Sequence, residues 1–358
     1  MLLSIEDFLR LRQSHSVVDV RSQGEFSQGH IRGAINIPIL NNEERVAVGT
    51  DYKQKGQQEA IRTGFRLVGP RLLDIINETQ QIVDGSKSPS PFGEGFGVRS
   101  EILVHCWRGG MRSSNFCQFV GMAGIKSHQL EGGYKAYRHQ ALESFKRPLQ
   151  IILLTGCTGS GKSEVLRALK ANGEQVLDLE DLAHHKGSAF GGLLMPQQPT
   201  TEQFQNKLFE EISQLDLSKR IWVEDESIAI GKIFLPHDFW LRMNESPLVQ
   251  MDVSKDIRVQ RLVSEYGSAD RDEFLTIMGR VVTKLGGQHY NAAKEKLLQG
   301  DMASTIDILL TYYDKAYLNS IRKRRDRIQF NLDWNGIDAD SFARELTNHI
   351  GTQEHIVH

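Results

Sequence analysis

The chain has 358 residues, 39% of them hydrophobic and 25% charged, a globular composition with room for two domains that each bury a core. A formal net charge of −2 supplies no global attraction to nucleic acid, so an RNA site would have to be a local basic patch. Three cysteines, Cys106, Cys117 and Cys157, exclude a dense disulfide framework and, with no CxxC pair, a structural zinc site; the expected compartment is the reducing cytoplasm.

The N-terminal MLLSIEDFLRLRQ mixes Glu6, Asp7, Arg10 and Arg12 into its apolar residues and reads as an amphipathic helix, not a signal peptide; no apolar run approaches membrane-spanning length. SVVDV (16–20) and EILVHC (101–106) are short β-branched runs that end at polar, glycine-rich loops, as buried parallel strands do. Helical spacing fits 69–83, and a second helix is expected to follow the cysteine loop directly, over 114–124. The stretch 86–99, rich in Ser, Pro and Gly, reads as an exposed, mobile insertion. SFKRPLQIILLTG (144–156) brings a charged junction, Pro148 and a new strand, so the expected domains are 1–147 and 148–358, both α/β.

Two loops carry chemistry. HCWRGGMRS (105–113) sets a strand end, a glycine turn and a helix start near Ser113 around one cysteine, so backbone N–H groups and a helix dipole converge on an anion there. That field, with Arg112, lowers the thiol pKa and makes Cys106 a nucleophile; Cys117, flanked by Phe116, Phe119 and Val120, is expected to pack. The HC-x5-RS spacing also matches cysteine phosphatases. GCTGSGKS (156–163) fits G-x-x-x-x-G-K-S in the strand–loop–helix context that motif requires. The expected phosphate-binding residues are Gly156, Thr158, Gly159, Ser160, Gly161, Lys162 and Ser163, with Lys162 neutralising charge and Ser163 available to a Mg²⁺ ion. Asp225, at the end of the strand RIWVE, is the candidate metal-positioning acid, with Asp178 and Glu180 after VLDLED competing for the role. Nothing marks an adenine pocket, so polyphosphate is a better expectation than ATP.

VVDVRSQGEFSQGHIRGAINIP (17–38) and LEGGYKAYR (130–138) resemble the opening and closing signatures of the rhodanese family, which implies that Cys106 is the catalytic position and that Asp19 and Arg21 buttress its loop; a structural ion pair accounts for those two equally well. The cysteine loop is one residue longer than in common single-domain sulfurtransferases, enough to admit a tetrahedral oxyanion. A rhodanese-like domain joined to a P-loop NTPase-like parallel-sheet domain, with EERVAVGTDYKQKGQQEAI, DLEDLAHHKGSAFG, WVEDES and YYDKAY, resembles the tRNA 2-selenouridine synthase family over nearly the whole chain. That resemblance implies a transferase that replaces the sulfur of wobble 2-thiouridine in tRNA with selenium, through an S-geranyl intermediate. Geranyl diphosphate and selenophosphate are its substrates, and no tightly bound cofactor is expected. Phe190, Leu193, Leu194 and Met195 suit a geranyl slot or, equally, a core. Tyr312, Tyr313 and Tyr317 beside Arg322, Lys323, Arg324 and Arg325 suit tRNA, or a solvated helix end. Two other readings stand beside this one: a cysteine phosphatase with a nucleotide-regulated domain, and an ATP-dependent sulfur-relay adaptor.

Overall fold

The computed structural model describes residues 1–85 and 101–354; the expected insertion at 86–99 lies outside them. The chain divides into two compact units, Met1–Ser144 and Phe145–His358.

The first unit runs β1 (Leu2–Leu3), α1 (Ile5–Leu11), β2 (Ser16–Asp19), α2 (Gln23–Gln28), β3 (Ile35–Asn36), α3 (Asn42–Lys55), α4 (Gln57–Val68), α5 (Leu72–Gly85), β4 (Ile102–His105), α6 (Met111–Met122), β5 (Ser127–Leu130) and α7 (Gly133–Ser144). Its five strands lie in the order β1-β5-β4-β2-β3, all parallel. β2 and β4 are buried almost throughout, as expected for central parallel strands covered on both faces. The amphipathic N-terminal segment is a helix only from Ile5, where Ser4 caps it; Leu2 and Leu3 are drawn into edge strand β1 instead. α6 begins two residues before Ser113, so Arg112 stands in its first turn.

The second unit runs β6 (Gln150–Gly156), α8 (Lys162–Ala171), β7 (Gln175–Leu177), α9 (Leu179–Ala183), α10 (Thr201–Ile212), β8 (Arg220–Glu224), β9 (Ala229–Ile230), β10 (Ile233–Phe234), α11 (His237–Glu245), β11 (Leu248–Asp252), α12 (Lys255–Tyr266), α13 (Arg271–Arg280), α14 (Val282–Leu285), α15 (Gly287–Leu298), α16 (Met302–Lys323), β12 (Ile328–Asp333) and α17 (Ala339–Glu354). Its main sheet is again all parallel, in the order β12-β11-β6-β8-β7. Two of the cores among its described residues organise this unit. One, around Trp222, Leu154 and Leu346, joins the sheet to α8 and α17, and the other, around Phe274, Met278 and Leu310, joins the helices from α12 to α16. Strand β6 at the centre of the sheet delivers the phosphate loop from its carboxyl end, where parallel α/β sheets place ligands.

Candidate functional site

Cys106 follows β4 directly and is buried at the head of α6. Burial alone would raise its thiol pKa. The Ser113 hydroxyl, which donates to Sγ at 3.1 Å, outweighs it together with the backbone N–H groups of Ser113 and Arg108 and the charge of Arg112, so the thiol lies below its ordinary value. Cys117 and Cys157 move the other way, each pushed up by burial, Cys157 to about 11. Arg112 is held from α2: its Nη1 and Nη2 donate to the Glu25 carboxylate at 2.6 and 3.2 Å. Glu25 caps its own helix through Ser22 and also meets Arg45, so Arg112 is a placed charge and not a free one. The resemblance gave no hint of Glu25 as its partner.

The loop keeps its shape because other backbone runs hard against it. A Cβ on Gly109, at φ +65°, would lie 2.7 Å from the Leu130 carbonyl oxygen, and one on Gly133 would lie 2.5 Å from that of Cys106. Tyr134 N–H donates to the Cys106 carbonyl at 2.8 Å, so the Gly132–Gly133 turn clamps the cysteine from behind. Beneath it Asp19 and Arg21 form a fully buried ion pair at 2.6 Å, with the Arg21 guanidinium 3.8 Å from the Tyr134 ring centre. His105, also fully buried, lies 3.7 Å from Asp19, and burial holds its pKa down so that it stays neutral.

In the second unit Gly159 and Gly161 adopt φ of +81° and +83°, and α8 starts at Lys162, so the phosphate loop closes around an open pocket of about 410 Å³. Gly156, Thr158, Gly159, Ser160, Gly161, Lys162 and Ser163 all line it, so every expected phosphate residue comes to one place. Lys162 Nζ spans the loop to the Gly156 carbonyl at 3.2 Å. Glu180 accepts from the Ser163 hydroxyl at 2.8 Å. Glu226, buried against Glu180 and beside Lys162, is pushed up to about 8, by burial first and by Glu180 second. Glu226, one of the acids at the end of β8 where a metal-positioning acid is expected, lines the pocket, and so do Lys186 and Tyr266, which no motif marks.

Several expectations need correction. Asp225 is no open metal acid: it takes both guanidinium nitrogens of Arg324, at 2.6 and 2.7 Å, and the Thr155 hydroxyl at 2.7 Å. Asp178 caps α9 through the Asp181 N–H at 2.8 Å, which leaves Glu180 as the acid that meets Ser163. Arg324 therefore leaves the expected tRNA patch, while Arg322, Lys323 and Arg325 are exposed. Tyr312 and Tyr313 are not beside them: ten residues of α16 separate Tyr312 from Arg322, about 15 Å at 1.5 Å per residue. Tyr313 and Tyr317, one turn apart, instead face the phosphate pocket, and Tyr312 packs against Tyr313 with ring centres 5.0 Å apart. Of the four residues of the expected geranyl slot, Phe190 and Leu193 are buried in a core cluster and Leu194 is exposed at φ +59°. Phe190 also borders a narrow apolar cleft of about 30 Å³ that shares Thr158, Ser188, Leu262, Tyr266 and Tyr313 with the phosphate pocket.

Residues 4–140 match the model of the rhodanese-like domain, and residues 149–300 match that of the tRNA 2-selenouridine synthase AAA domain. The tRNA 2-selenouridine synthase of Bdellovibrio bacteriovorus is 33% identical, over 94% of this chain and 96% of that one. The chain belongs to the tRNA 2-selenouridine synthase family. Its relative from Nitrosomonas europaea, of the same name, is 31% identical over 86% of this chain and 90% of its own. Among the described residues no helix is long and apolar enough to cross a membrane.

Proposed function

We propose that the chain is a tRNA-modifying transferase that converts wobble 2-thiouridine to 2-selenouridine in two substitutions, one at each loop. In the first, the 2-thiouridine sulfur attacks C1 of geranyl diphosphate; the S–C bond forms, the C–O bond breaks and diphosphate leaves. The observation that carries this half is the continuity of the phosphate pocket with the apolar cavity beside Phe190, Leu262 and Phe274, since a diphosphate joined to a hydrocarbon chain is the ligand that needs both. Lys162 and the loop N–H groups hold the leaving diphosphate. Glu226, still largely protonated at neutral pH, donates to one of its oxygens. Ser163 and Glu180 offer the two hard oxygens that a Mg²⁺ ion shared with phosphate needs, and such an ion would supply charge neutralisation.

In the second substitution the Cys106 thiolate attacks C2 of the S-geranyl-uridine, the C2–S bond breaks and geranylthiolate departs, taking a proton from water; water cleaves the P–Se bond of selenophosphate to phosphate and hydroselenide, and the hydroselenide displaces Cys106 from C2, its proton passing to N3 and the thiolate being restored. Arg112 supplies the positive charge beside the incoming anion. Alkylation is what makes the sulfur a competent leaving group. A reducing cytoplasm belongs to the same reading, because Cys106 must remain a thiol.

The test is mass spectrometry of nucleosides from 2-thiouridine tRNA incubated with geranyl diphosphate, with and without selenophosphate. The reading requires a geranyl adduct that becomes 2-selenouridine once selenophosphate is present. Cys106→Ser should keep geranylation and lose selenium, and Lys162→Ala should lose geranylation; the reverse pattern would overturn the division. Hydrolysis of aryl phosphate by the wild type, lost in Cys106→Ser, would favour a phosphatase instead.

A further inference from the structure

The first unit contains a cavity that neither loop accounts for. Helices α3 and α4 fold back on one another at Gly56, whose φ of +90° makes the reversal, and their inner faces close over α6 to leave an open-mouthed cavity of about 160 Å³. Its wall is almost wholly carbon, from side chains such as Ile39, Val48, Ile61 and Phe119. Tyr52, Phe65 and Met111 also line it, yet 59%, 54% and 48% of their surfaces remain open to water, an unusual arrangement for three large apolar side chains on one cavity.

The cavity abuts the cysteine loop. Arg112 lines it, and the charge of Arg112 is also felt at Cys106; Met111, which lines it too, is a residue of the same loop, at the first position of α6. A carbon-lined space beside a thiolate does not suit a phosphate, a nucleobase edge or an RNA backbone, all of which would leave polar atoms unpaired in it. It suits a flexible hydrocarbon attached to whatever Cys106 attacks.

We propose that this cavity binds the hydrocarbon chain of the S-alkylated uridine while Cys106 acts on C2 of the base. The inference rests on the two-step reading above and adds to it a second chain-binding site, separate from the one beside the phosphate loop. Holding the chain there sets the C2–S bond beside the thiolate and lets the departing thiol remain in an apolar site while selenium enters.

The experiment uses the full chain, selenophosphate and RNA hairpins carrying S-methyl-, S-prenyl- or S-geranyl-2-thiouridine, and follows 2-selenouridine formation. With the wild type, KM should fall with chain length, by about tenfold or more from methyl to geranyl if even part of the chain is buried. Tyr52→Asp and Phe65→Asp, at side chains already more than half exposed, should each shrink that preference severalfold, whereas Val46→Asp, on the same helix as Tyr52, exposed and off the cavity, should keep it. Turnover of the S-methyl hairpin shows that each variant is folded, and the chain-length series on the wild type needs no variant at all. If the wild type converts all three hairpins without preference, or the two cavity variants keep the full preference, the assignment of the cavity is overturned and the two-step reading survives. If the wild type makes no 2-selenouridine from the S-geranyl hairpin, the two-step reading falls and the cavity's occupant with it.

Discussion

Ser113 is the most direct handle on the Cys106 thiolate. Its hydroxyl is fully buried, donates to Sγ at 3.1 Å and is the strongest of the influences that lower the thiol pKa. Ser113→Ala deletes that donor with little change of shape and leaves the backbone N–H groups and Arg112 in place. A hydrogen bond to a charged group contributes about 1.5–3 kcal/mol, and at about 1.4 kcal/mol per unit its loss raises the thiol pKa by roughly 1–2 units. The thiolate exists above the pKa, so the pH at which Cys106 becomes reactive moves up by that amount. The assay is the pH dependence of iodoacetamide alkylation, read peptide by peptide. Cys117 and Cys157 serve as internal controls because burial has raised both. A midpoint unchanged in Ser113→Ala would refute the account of how this loop makes a nucleophile.

Arg324→Met should act on stability, because it strips a bidentate partner from the largely buried Asp225; a loss of about 1–3 kcal/mol in urea melts is expected. Arg322→Glu with Arg325→Glu should leave stability alone, weaken tRNA binding and flatten its salt dependence; unaltered binding would remove the exposed helix end from the tRNA surface. Glu226 holds its proton up to about pH 8 in the folded protein but only to about 4.5 when unfolded, so between those values the folded state binds more protons and stability falls as pH rises. Glu226→Gln should flatten that fall, and a wild-type stability that rises across the same window in thermal melts would contradict the burial of this carboxyl.

The parts legible in the sequence were those encoded within a few consecutive residues. The phosphate loop and the cysteine loop each follow from short runs of glycine and charge between a strand and a helix, and both fold as those runs imply. What composition and periodicity do not encode is pairing across the chain. Arg112 and Glu25 stand 87 positions apart, and Arg324 and Asp225 stand 99 apart; each partner alone in the sequence resembles a free charge, Arg324 a tRNA contact and Asp225 a metal acid. Tyr313 and Tyr317 do carry a local signal. Their spacing of four places both on one helix face, whereas Arg322 lies nine residues, about two and a half turns, beyond Tyr313. Glu180 and Asp178 could not be separated from sequence, because which of them caps α9 and which meets Ser163 depends on where the short helix begins.

Asp19 and Arg21 pose the remaining question, whether the pair positions the cysteine loop or simply satisfies itself. A fully buried ion pair repays its desolvation poorly, and replacing both partners with apolar groups of similar size is often neutral, whereas removing one leaves an uncompensated charge at a cost of about 3–5 kcal/mol. Arg21→Met alone should therefore be strongly destabilising, and Asp19→Leu with Arg21→Met should recover most of the loss. The double variant then separates the two roles. Arg21 packs on the Tyr134 ring, and Tyr134 N–H fixes the Cys106 carbonyl, so a positioning pair predicts that the double variant folds but keeps a raised alkylation midpoint at Cys106. If stability and midpoint both return to the wild-type values, the glycine turn at Gly132–Gly133 is sufficient to hold the loop, and the ion pair is structural only.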